Sequence, residues 1–327
     1  MDGSRAGGPG ERDDTASGRR PDWPDGKRFA FTIFDDTDLA QPGNFESVYA
    51  LLRDLGMRTT KSVWAVRGEG VPTIGGATCE DPDYLAAVLR LQGEGFEIGS
   101  HGASHHGLER AEIESSLDQF RRLFGTDPPT FANHADAADS IYWGDARLDG
   151  PYRLAYRLLT RGHNRDRYTG HVPSSRRFWG DLCASRVRYV RSFTTGDINT
   201  LRACPWMPYH DPRRPYVAAW FMSTEGPSLP TFVNAINEEA QDRLEEEGGA
   251  CVMYTHFAKG FQTDGQVDRR FRELMERLAR KPGWFVPVAT LLDHLASRNG
   301  IHQLTDGERS GLQRRWLMHK IRLGGTS

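Results

Sequence analysis

Three short stretches of this chain carry residue types suited to metal-assisted hydrolysis. The first, Phe34-Asp35-Asp36-Thr37-Asp38, closes an apolar and β-branched run over residues 28–34. Three carboxylates this close repel one another and are costly to desolvate unless a cation sits among them. The second runs Glu97-Ile98-Gly99-Ser100-His101-Gly102-Ala103-Ser104-His105-His106-Gly107, and it gathers three of the chain's 11 histidines within residues 101–106. Two imidazoles four positions apart can converge on one metal ion, from a helix face or from a tight loop, and the glycines favour the loop. The third, Met253-Tyr254-Thr255-His256, ends the apolar run GACVMY. Two imidazole nitrogens with one carboxylate make a three-ligand site that leaves positions open for water and substrate. The competing readings are turn-capping acids in solvent, a polar loop that happens to hold histidines, and a structural histidine leaving a strand.

Together the three stretches resemble the motifs of the polysaccharide deacetylases, carbohydrate esterase family four. That family's strand followed by paired aspartates is matched by FTIFDD, its Glu-Ile-Gly-x-His-x-x-Ser-His by EIGSHGASH, and its late strand ending in histidine by CVMYTH. The resemblance spans roughly residues 28–297. It implies a distorted (β/α) barrel with long loop insertions in the middle, a divalent metal (zinc, with cobalt, manganese, nickel or iron as alternatives), and an N-acylated sugar or small-molecule amide as substrate. Some relatives act on cyclic ureides instead. It further implies Asp36, His101 and His105 as metal ligands, Asp35 as general base and His256 as general acid.

The chain departs from the family pattern in three places. Thr37-Asp38 stands where the family has glycine. The family's Arg-Pro-Pro-Tyr-Gly segment has no counterpart: Ala132-Asn133-His134-Ala135-Asp136 occupies its place, with Asn133 or His134 the candidates to orient the base and Tyr142-Trp143-Gly144 the aromatic part. Asp197 is the candidate to hold the acid histidine. Two rival readings follow from these departures. A metal-bearing carbohydrate-binding protein without catalysis would explain the missing segment. A haloacid-dehalogenase-type phosphatase would use Asp36-Thr37-Asp38 as its nucleophile motif, yet it leaves the histidines idle.

The elements that must position these residues alternate. Strand-like runs at residues 28–34, 60–66, 96–100, 129–133, 187–193, 250–255 and 284–288 are separated by helical patterns, among them 228–247, 266–280 and 289–297. Such alternation implies parallel strands with helical crossovers, where active sites gather at the strand C-terminal ends. Residues 142–227, rich in proline, arginine and aromatics, read as one strand plus long loops able to shape a cleft. The division predicted is a disordered leader over 1–26, a catalytic domain over 27–298 and a basic C-terminal extension over 299–327 that packs as a surface helix.

Composition narrows the function class. With 327 residues, 38% of them hydrophobic and 26% charged, the chain can bury a sizeable core. A net charge of −2 gives no footprint for nucleic acid. The four cysteines lie far apart with no CxxC pair, which argues against a zinc ribbon and fits a reduced compartment. No run of apolar residues is long enough for a membrane span, and no signal sequence is evident, so a cytoplasmic location is expected.

Overall fold

The computed structural model describes residues 21–323. In chain order its elements are β1 (Phe29–Asp35), α1 (Glu46–Asp54), β2 (Thr60–Val63), α2 (Pro82–Gly93), β3 (Glu97–Ser100), α3 (Arg110–Phe124) and β4 (Thr130–Phe131). There follow α4 (Gly150–Leu159), α5 (Gly180–Arg186), β5 (Tyr189–Thr195), α6 (Thr200–Ala203), β6 (Tyr209–His210), β7 (Ala219–Glu225), α7 (Leu229–Ala235), α8 (Glu238–Glu247) and β8 (Ala250–Thr255). The chain closes with the hairpin β9 (Gln262–Thr263) and β10 (Gln266–Val267), then α9 (Arg269–Ala279), β11 (Gly283–Phe285), α10 (Val288–Asn299), β12 (His302–Gln303) and α11 (Asp306–Leu323).

Seven parallel strands close a barrel in the order β1-β2-β3-β4-β5-β7-β8, with β8 returning to β1. The barrel is distorted at one seam. β1 pairs with β8 over Ala30–Asp35, but with β2 only at Phe34 and Asp35, because β11 takes its lower edge at Phe29–Phe31. All seven residues of β1 are buried, as a strand packed on both faces requires. Phe29, Phe31 and Ile33 join the core shared with α1, α2 and α9, while Ala30 and Phe34 join the one shared with β5, β7, α10 and α11.

The region expected to be mostly loop supplies a barrel strand of its own. β7 (AWFMSTE) is buried along most of its length and sits between β5 and β8. Two long predicted helices are shorter than their patterns. The one over 228–247 breaks at Asn237, whose side chain accepts from Ala240 N at 2.9 Å and so starts α8 afresh. The one over 266–280 begins only at Arg269, where Asp268 caps Phe271 N, and the residues before it form β10.

Of the predicted leader, residues 1–20 lie outside the described residues. In its remainder, Trp23 is buried and its indole Nε1 donates to Gly248 O at 3.0 Å. The C-terminal helix α11 is packed on the barrel through Trp316, which is 1% exposed, and β12 extends the sheet beside β6. Among the described residues the four cysteines are buried and unpaired, and no helix is long and apolar enough to cross a membrane.

Candidate metal centre

The chemistry-bearing residues converge at the C-terminal ends of the barrel strands. Asp36 and Asp38 follow β1, His101 follows β3, Asn133 and His134 follow β4, and His256 follows β8. All of these line one cleft of about 270 Å³, to which β7 adds Glu225.

Local sequence explains how the histidines reach this place. Gly99 lets β3 lie against β4, since a Cβ there would meet Thr130 Oγ1 at 2.6 Å. Gly102, at φ +84°, turns the chain immediately after His101. The half-buried Glu97 carboxylate accepts from Thr60, Thr130 and Ala289 N, tying β2, β3, β4 and α10 together beneath the site. The Trp64 indole donates to His101 O at 2.7 Å, and its ring lies between 5.2 and 5.9 Å from those of His101, His105 and His134. Asn133 staples its own loop by accepting from Ile141 N and donating to Ile141 O, while Ser140 donates to His134 O.

Three potential ligand atoms meet within this frame. Asp38 Oδ1 lies 3.1 Å from His101 Nε2 and 3.3 Å from His134 Nδ1, and the two nitrogens are 3.3 Å apart. Among the described residues this is the group of acids and histidines able to hold a metal ion, and all three members are buried. Ligands at zinc-type bond lengths in a tetrahedral shell stand about 3.3–3.4 Å apart, so the triangle fits a divalent cation. Burial, acting against Asp36 and Asp38, lowers the His101 pKa and favours the neutral ring that coordination needs.

The structure brings together some of the residues that the motifs implied and sets others apart. His105 is outside the cluster: it packs 5.5 Å from the Trp64 ring, and neither of its nitrogens has a hydrogen-bond partner. His134, from the segment that matched nothing, is the second imidazole beside Asp38 and His101. Asp36 Oδ1 lies 3.7 Å from His101 Nδ1, and Arg191 grips both Asp36 oxygens at 2.9 and 2.6 Å. Burial would raise the Asp36 pKa, yet that guanidinium and His101 hold it below the usual carboxylate range. Asp35 does not line the cleft. Its two oxygens accept from Lys61 Nζ at 3.0 Å, Tyr49 Oη at 3.0 Å and Phe257 N at 2.7 Å.

His256 is held by its Nδ1 donating to Pro227 O at 2.7 Å, which leaves Nε2 facing the cleft, 3.0 Å from Asp38 Oδ2. A carbonyl can only accept, so Nδ1 carries a hydrogen. Asp197, the candidate for this holding role, instead receives Asn199 N and Arg202 Nε. Arg191, Lys61 and Lys259, the last 3.4 Å from Asp38 Oδ2, lie outside the three motifs. A cation inside the apolar strands YVRSFTT and TKSV was the available signal for the first two.

No protein-family profile matches this sequence, and no curated protein sequence does. Solved structures do match in fold. Puue allantoinase superposes with a TM-score of 0.51 at 11% identity, covering 88% of this chain and 97% of that one. A probable polysaccharide deacetylase from Pseudomonas aeruginosa PAO1 gives 0.50 at 12% identity, covering 88% and 97%. The barrel is thus of the polysaccharide deacetylase type that the three motifs implied.

Proposed function

We propose that this protein is a metal-dependent amide hydrolase that removes the acyl group of an N-acylated amino sugar or related compound. The observation that carries the reading is the buried triangle of Asp38 Oδ1, His101 Nε2 and His134 Nδ1, with separations of 3.1–3.3 Å. When bound there, a divalent cation, zinc first among the candidates, supplies Lewis acidity toward a carbonyl oxygen and toward water.

The remaining steps fall to the chain's own side chains. Asp36 is the general base. Arg191 uses one lone-pair direction on each of its oxygens, which leaves the others free to take a proton from water in the cleft. The same pair fixes the carboxylate's orientation, which is what a base needs before its pKa matters. His256 is the acid: Pro227 locks the ring, and Nε2 delivers a proton to the departing nitrogen. Such acid–base help contributes about 10²–10⁴-fold each. Lys259 and the other nitrogen donors around Asp38 offset its charge.

The test is acid release from a panel of N-acylated sugars and small amides, with the protein loaded with zinc, cobalt, manganese, nickel or iron in turn. Release that depends on metal supports the reading. One equivalent of bound metal with no release across the panel turns the site into a binding site, and folded protein that takes up no metal ends the proposal.

A further inference from the structure

The cleft holds one cation for which the proposed hydrolysis has no use. Among the described residues four lysines and arginines line it: Arg191, Lys259, Lys320 and Arg147. The first three each face a carboxylate. Arg191 grips Asp36, Lys259 lies 3.4 Å from Asp38, and Lys320 lies 2.9 Å from Glu225. Arg147 faces none. It is 7% exposed, its Nε has no partner, and its guanidinium carbon is 3.2 Å from the Trp143 ring centroid and 5.1 Å from that of Trp316.

A buried cation without an ion-pair partner of its own is costly, and cation–π contacts return only part of that cost. Burial pushes the Arg147 pKa down to about 10, so the group is still charged at neutral pH. Its position suggests what completes it. The metal-type cleft and a second lobe of about 200 Å³ share Ala135, Trp143 and Arg147, so Arg147 stands at the junction. The second lobe is lined by His163, Asn164 and Tyr168. Its own arginine, Arg167, is already turned to Asp136 at 3.6 Å. A sugar ring in the metal-type cleft would therefore present its neighbouring substituent to an aromatic wall and a guanidinium fork with no ion-pair partner of its own.

We propose that Arg147 is the anchor of an oxyanion subsite, so that the substrate is an N-acylated saccharide carrying a carboxylate or phosphate group. The substrate part of this inference rests on the hydrolase reading; the oxyanion site does not. A guanidinium presents paired N–H groups matched to the two oxygens of either anion.

Binding of N-acetylglucosamine, N-acetylglucosamine 6-phosphate and a glucuronate–N-acetylglucosamine disaccharide to the full-length, metal-loaded protein, measured by calorimetry, tests it. At least one charged probe should bind about tenfold tighter than the neutral one, and which one it is separates phosphate from uronate. Arg147→Gln should erase that preference and leave the neutral probe's Kd unchanged, while Arg147→Lys should retain part of it. Both variants fold if the charge is unpaired as described, since Gln removes a buried cost and Lys preserves the cation; melting curves verify this. Equal affinities for neutral and charged probes in the wild type overturn the proposal, as does an Arg147→Gln loss shared by all three or the binding of no charged probe. Acid release is read separately. Charge-dependent binding without release defeats the hydrolase and leaves the subsite standing, whereas release without charge preference does the reverse.

Discussion

The Lys61 ammonium lies 3.0 Å from the Asp35 carboxylate, with the two side chains 1% and 0% exposed. Neither group reaches the cleft, so the pair braces β1 against β2 at the one place where the two strands meet. Removing one partner of such a pair leaves an uncompensated buried charge, at a cost of about 3–5 kcal/mol. Asp35→Asn should therefore lower stability by roughly this amount in urea unfolding, and adding Lys61→Met should recover much of it. A fully stable Asp35→Asn protein that has lost only turnover would return the base role to Asp35.

The metal ligands can be told apart by metal content alone. Asp38→Ala, His101→Ala and His134→Ala should each reduce bound metal from near one equivalent to near none, measured by plasma emission after dialysis. His105→Ala should retain it, because that imidazole packs on Trp64 away from the triangle. Loss of metal in His105→Ala with retention in His134→Ala would reverse the assignment.

Asp36→Asn should keep its metal, lose stability by about 3–5 kcal/mol as any broken buried pair does, and lose acid release by about 10²–10⁴-fold in kcat of the protein that remains folded. The amide oxygen can keep one of the two bonds from Arg191, and the amide cannot take a proton from water. Unchanged kcat would remove Asp36 from the mechanism.

Asp139 gives a pH signature away from the centre. Burial pushes its carboxyl up to about 7, and its Oδ1 has no hydrogen-bond partner. A folded-state pKa raised above the ordinary 3.8 means the stability it confers is complete below pH 3.8 and lost as pH rises through about 7. At about 1.4 kcal/mol per pH unit, that interval sets a ceiling of roughly 4 kcal/mol. Asp139→Asn should thus be more stable than wild type at pH 8, with the difference shrinking toward pH 4. Parallel stability–pH curves for the two proteins would contradict this account.

The sequence by itself determined parallel strands alternating with helices and the strand ends that carry chemistry, while the barrel was what the resemblance of its motifs implied. The apolar runs at 28–34 and 250–255 and the short strand pattern at 96–100 read as interior strands. Polar residues directly after them, Asp36, His101 and His256, had to emerge at one rim because parallel strands share a direction. Tertiary structure alone decided which of those residues meet. A run of three acids within four positions does not say which one turns to a lysine on β2, which to an arginine on β5 and which to the histidines. Those choices depend on cations contributed at positions 61 and 191, far along the chain from the acids. Likewise His105 is nearest to His101 in sequence, but His134 is nearest in space, because β3 and β4 lie side by side and the Asn133-stapled loop turns its imidazole inward. Short-range pattern sets which rim a side chain reaches; packing across strands sets its partner.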